Sequence, residues 1–212
     1  MSAITKFTVL IVLFASFSFN SCTKEDIVQG NEIVFEDYNL EQAIRTALDK
    51  PEGAIYLDDV KDIEELNLVG FNITTLSGIE HFTSLSILDL EGNTISDLTP
   101  LANLTSLTFL NLRNNEIADI TPLSGLINLT ELFLCSNHID NLSALATLIN
   151  LEMLTLAANP FNELAPLCDL GTDFSGTIGF HTLQYMLFDE QQTTHLEKCL
   201  PNAYLWVSGD VI

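Results

Sequence analysis

The residues of this 212-residue sequence whose types and spacing could do chemistry are Cys135, Cys168, His195 and Cys199. His195 and Cys199 stand one helical turn apart and could share a zinc ion, whereas Cys168 and Cys199 could instead close a disulfide. No second ligand pair lies at metal spacing, so the bridge is the favoured reading and Cys135 is the thiol left over. Enzymatic signatures are missing: there is no G-x-S-x-G, no H-E-x-x-H and no C-x-x-C. The glycine-rich run 169–181 lacks the Lys-Ser/Thr context of a phosphate loop and is expected to be an inserted connection. The four histidines are scattered, with His81 and His138 at variable positions. No catalytic residue, metal or cofactor is assigned, and the chain reads as non-enzymatic.

How the cysteines are read depends on compartment, and the N-terminus speaks to that. Lys6 precedes an apolar run, residues 7–19, that is shorter than the roughly 20 residues a bilayer-spanning helix needs. Residues 1–21 therefore read as a signal peptide. The S-F-N-S-C phrase at 18–22 resembles a bacterial lipobox, with Phe19 where leucine is more usual. That resemblance implies cleavage before Cys22 and acylation of Cys22. T-K-E-D at 23–26 resembles the export signal of surface lipoproteins in some Gram-negative bacteria; the alternative is simply the start of a polar tether, residues 22–35. The expected location is the bacterial cell envelope, lipid-anchored at the outer membrane on either its surface or its periplasmic side, with the membrane touched through the lipid only. Such a place is oxidising, which supports a Cys168–Cys199 bridge.

Behind the leader, the sequence repeats. LSILDLEGNTISDLTPLANLTS (85–106) carries Leu or Ile at its positions 1, 4, 6, 11, 14, 17 and 20. The same frame fits 63–84, 107–128, 129–150 and 151–172, and every framed position in the five units is Leu, Ile or Phe. The L-x-L pair of each unit, such as Leu88 and Leu90, is predicted to point inwards from a short strand while its neighbours point out. Asn93, Asn115, Asn137 and Asn159 recur just after that strand, where a buried amide can satisfy backbone groups leaving the sheet. Phe71 takes that place in the first unit, so the asparagine ladder should begin one unit late. Thr99-Pro100, Thr121-Pro122 and Ala165-Pro166 suit the opening of short 3₁₀ turns on the return path.

Period, apolar frame and asparagine together resemble the leucine-rich repeat. The implied fold is an α/β solenoid, a curved stack with a parallel sheet on the concave face and short 3₁₀ turns on the convex face. Upstream, residues 36–60 place Leu40, Ala43, Ile44, Ala47 and Leu48 on one helical face, capped by Asp37 or Asn39 and stopped at Pro51. That helix and the I-S-D-L-T-P-L phrase (95–101) resemble the N-terminal cap and 22-residue repeats of the internalin-like family of bacterial surface proteins. The domain reading is a cap at 36–62, repeats at 63–172, and a divergent repeat with C-terminal cap at 173–212. In the last region 183–188 and 203–207 are expected to supply the final two strands.

The family resemblance implies binding of a protein ligand on the concave sheet. With the apolar frame committed to the core, recognition falls to the residues alternating with it: Ile87, Asp89, Phe109, Asn111, Arg113, Glu131, Phe133 and Met153, continued by Tyr185 and Trp206. Phe109 and Phe133 lie on a diagonal that aromatic rings can bridge. A structural role, as an accessory subunit of a membrane-associated assembly, is the second reading. Removing the leader leaves 6 Lys+Arg against 29 Asp+Glu, a net charge of −23. Nucleic acid is excluded as a partner by that charge, and a monomer is expected.

Overall fold

The computed structural model describes residues 31–161, 163–170, 177–181, 198–200 and 204–208. Seven strands form one parallel sheet in chain order: β1 Glu65–Asn67, β2 Ile87–Asp89, β3 Phe109–Asn111, β4 Glu131–Phe133, β5 Met153–Thr155, β6 Thr177–His181 and β7 Tyr204–Ser208. Register is kept from unit to unit, with Leu66, Leu88, Leu110, Leu132 and Leu154 side by side. The return path is made of 3₁₀ turns, which begin at the expected Thr-Pro and Ala-Pro steps in Thr99–Leu101, Thr121–Gly125 and Ala165–Leu170. Asp97 and Asp119 fix two of these turns, each accepting the N–H of the threonine two residues on at 2.8 Å. The fold is the leucine-rich-repeat solenoid.

Of the framed apolar positions, only Ile63, at the first unit's entry, is half-buried; the rest form one continuous core running the length of the repeats. Each ladder asparagine stitches two units together. Asn137 donates to the Leu112 and Leu134 carbonyls at 2.9 and 3.0 Å and accepts the Ile117 N–H at 3.1 Å. Asn93, Asn115 and Asn159 repeat the pattern, and Phe71 in the first unit is 39% exposed. The residue before each ladder position turns left-handed: Gly70, Gly92, Asn114, Ser136 and Ala158 have φ between 54° and 73°. Glycine meets that demand without a Cβ penalty and asparagine tolerates it; Ser136 and Ala158 hold it under strain.

Two further hydrogen-bond rows were not foreseen. Asn128 and Asn150 donate to the carbonyls of Thr105 and Ile127 at 2.8 Å, and the hydroxyls of Thr108 and Thr130 donate to Ser86 and Thr108 at 3.2 and 3.1 Å. In the phrase Asn128-Leu129-Thr130 one residue serves each row.

At the N-terminal end, α1 (Tyr38–Ala47) buries Leu40, Ala43 and Ile44, with Leu48 packed at the margin; Ala47, expected on that face, is exposed. Asp37 is the cap, accepting from the N–H groups of Asn39 and Leu40 at 2.7 and 3.0 Å. Its second oxygen accepts the N–H and hydroxyl of Thr74 at 2.7 Å and the N–H of Thr75 at 3.2 Å, which ties the cap to the first repeat. A four-residue helix, α2 (Leu57–Val60), and the Lys50–Asp59 ion pair at 2.6 Å complete the cap.

The C-terminal end corrects one expectation. The sixth strand is 177–181, inside the run expected to be a loop, while 183–188, where a strand was expected, lies outside the described residues. Leu154 pairs with Ile178, 24 positions on instead of 22, so two extra residues shift the unit out of the repeat frame. β7, at the place where the closing strand was expected, pairs Leu205 with Ile178 and Val207 with Phe180. Cys168 and Cys199 are bonded, with Cα atoms 5.2 Å apart, which leaves Cys199 unavailable as a zinc ligand, and Cys135 is free and half-buried.

Candidate functional site

Three-residue strands present few side chains each, so the concave face is assembled across strands. Ile87 is 37% exposed, and Asp89, Phe109, Arg113, Glu131, Phe133 and Met153 are half-buried. The register sets Phe109 beside Ile87 and Glu131, and Phe133 beside Asn111 and Thr155. The two phenylalanines meet along the expected diagonal, with ring centroids 5.3 Å apart and planes inclined at 49°. The Arg113 guanidinium lies over the Phe133 ring at 4.3 Å from its centroid. The rings therefore pack partly on each other and remain partly open to the concave side.

Asn111 is different. It is 4% exposed, donating to Glu91 at 3.0 Å and accepting the Arg113 N–H at 3.2 Å. Asn67 and Asp89, its counterparts in earlier units, likewise accept the N–H two residues ahead, from Val69 at 3.3 Å and Glu91 at 3.1 Å. These Asx groups close the outer side of each strand end, a task that sequence reading missed although Asn, Asp and Asn stand in phase. In the next two units Phe133 and Thr155 occupy that place. Thr155 is buried, and its hydroxyl has no partner among the described residues.

Tyr185 lies outside the described residues. Trp206 sits in β7 in register with Gly179, the neighbour of Thr155, and its side chain lies outside the description. Cys22 also lies outside it. Among the described residues no group of His, Cys, Asp and Glu is arranged to hold a metal, and no helix is long and apolar enough to cross a membrane.

A family model described as Leucine Rich repeats (2 copies) matches residues 61–103, 84–125 and 105–147. No curated protein matches the sequence. Among solved structures, the chain is similar to an internalin (inlF) of Listeria monocytogenes, with a TM-score of 0.61 and 24% identity over 84% of this chain. It spans 59% of that internalin's length. Internalin C2 (inlC2) of the same organism gives a TM-score of 0.54 and 28% identity, covering 82% of this chain and 95% of its own. A leucine-rich-repeat protein of Leptospira interrogans gives 0.55 and 22%, over 70% of this chain and 44% of the other. Repeat frame, sheet and neighbours agree on a leucine-rich-repeat fold similar to that of the internalins.

Proposed function

We propose that this leucine-rich-repeat chain is a bacterial envelope protein that binds another protein through its concave sheet, in adhesion or recognition, and that Cys22 carries the lipid that holds it at the outer membrane. Folds of this kind offer an extended concave surface suited to protein partners. The observation that carries the reading is the Phe109–Phe133 pair with Arg113 stacked on it, set mid-sheet where burial in the core does not require large apolar groups. Aromatic and arginine side chains clustered at the centre of a face are the usual makings of a binding hot spot. The leader, the S-F-N-S-C phrase and the strongly acidic composition support an exported, lipid-held protein with no affinity for nucleic acid.

The test is capture of a partner from outer-membrane extracts by the lipid-free protein beginning at residue 23, followed by titration of variants. Phe109→Ala and Phe133→Ala are each expected to weaken binding by at least about 1 to 2 kcal/mol while the fold is retained, and Thr99→Ala on the convex side is expected to leave affinity unchanged. Truncation of both rings without loss would place the binding surface elsewhere. For the anchor, Cys22→Ala is expected to abolish palmitate labelling and membrane retention, and a variant that still labels and pellets with membranes would remove the lipoprotein reading.

A further inference from the structure

The repeats leave the concave face electrostatically unbalanced, and the imbalance defines what fits it. Residues 63–172 hold 13 carboxylates and a single Lys or Arg, Arg113. Among the described residues the ion pairs are Arg45–Glu41, Lys50–Asp59, Lys61–Asp58 and the His81–Glu80 contact, none of which draws on the concave strands. The one cation of the face is stacked on Phe133.

One strand away the same setting recurs without a cation. Phe109 stands in register with Glu131 on β4 and diagonal to Asp89 on β2. Neighbouring strands lie roughly 4.8 Å apart, so both carboxylates are within reach of a cation seated against that ring. Glu131 has no ion-pair partner among the described residues, and Asp89 accepts only the N–H of Glu91 at 3.1 Å. A second observation is independent of charge. Thr155, in register with Phe133, is 9% exposed and its hydroxyl is unpartnered among the described residues. Buried polar groups almost always find a partner, so an unmet hydrogen-bonding group sits beside the aromatic pair.

We propose, building on the concave-face reading above, that the occupant of this face is a basic peptide segment that seats a lysine or arginine against Phe109 between Asp89 and Glu131. Carboxylates supply the attraction and the ring supplies the flat surface on which the cation's apolar stem lies.

The probe is a fluorescent synthetic peptide of alternating lysine and glycine, compared with its glutamate counterpart, titrated against the protein at low and at high salt. Asp89→Asn is the informative variant: asparagine already stands at this place in the neighbouring units and makes the same bond to the backbone, so the change removes charge and keeps the fold contact. Asp89→Asn combined with Glu131→Gln is expected to weaken the lysine peptide by about fivefold or more at low salt, with unfolding unchanged. Glu116→Gln with Asp140→Asn, which removes two exposed charges away from the concave strands, should change it less than twofold. Equal losses in the two double variants would show diffuse attraction to an acidic protein and overturn the proposal, as would failure of the lysine peptide to bind. If the phenylalanine variants lose a captured native partner while Asp89→Asn with Glu131→Gln keeps it, the concave-face reading stands and the basic-segment proposal fails.

Discussion

Asp37 joins the cap to the repeats, and replacing it by asparagine isolates what the charge contributes. Asparagine is as good a helix cap as aspartate, so the bonds to Asn39 and Leu40 survive. What is lost is the second carboxylate oxygen, which accepts three donors from Thr74 and Thr75. Burial pushes the Asp37 carboxyl up, but the hydrogen bonds, led by those from Thr74, outweigh it and hold its pKa at about 2 against an ordinary 3.8. At 1.36 kcal/mol per unit, that depression corresponds to about 2 kcal/mol of stability. Its folded pKa lies below the unfolded one, so the contribution is complete above pH 3.8 and is lost as pH falls through about 2. Repeat stacks need not unfold in one step, so urea unfolding should be paired with hydrogen exchange at Leu40, Thr74 and Thr75. The expected outcome is Asp37→Asn less stable by about 2 kcal/mol at pH 7, with faster exchange at those three amides and a deficit that closes between pH 4 and pH 2. A deficit below about 0.5 kcal/mol, or one independent of pH over that range, would refute the reasoning.

Asn137→Ala removes one amide that serves two carbonyls and one N–H in the core, and a loss of about 2 to 4 kcal/mol in chemical denaturation is expected. Ala158→Gly relieves a left-handed alanine at φ 55° and should stabilise by about 0.5 to 1 kcal/mol, read as a higher urea midpoint with unchanged slope. Cys168→Ser with Cys199→Ser opens a bridge across 31 positions and is expected to lower stability by about 2 to 4 kcal/mol, with reducing agent reproducing the loss in the parent protein.

What was legible in the sequence is what the fold demands of every unit alike. An apolar side chain at each framed position is needed wherever a turn of the solenoid closes on its neighbour, so repetition made the frame visible without any knowledge of contacts. The asparagine ladder was visible for the same reason: backbone groups leaving the sheet need a partner in each unit, and the exposed Phe71 marks where no preceding repeat requires one. The Phe109–Phe133 contact followed from register alone, since residues two apart on adjacent strands of a regular stack must fall on a diagonal.

Illegibility begins where a residue's role is set by its neighbours instead of its phase. Thr177–His181 reads as a glycine-rich connection because its local propensity for strand is poor, yet β5 offers an open edge and the chain pairs with it two positions late. Asp89 and Asn111 look free to meet a partner because they point outwards, whereas their side chains already hold the backbone ahead of them. That double employment bears on recognition. The hydrogen bond to its own strand end holds the Asp89 carboxylate in place, so under the basic-segment proposal less conformational entropy would be lost when a cation meets it. In the fourth unit Phe133 stands where the Asx residue would be, exchanging the backbone bond for stacking with Phe109 and Arg113. The surface changes there from polar groups that serve the fold to a ring that the core does not require, which is why the proposed binding surface is centred on this boundary.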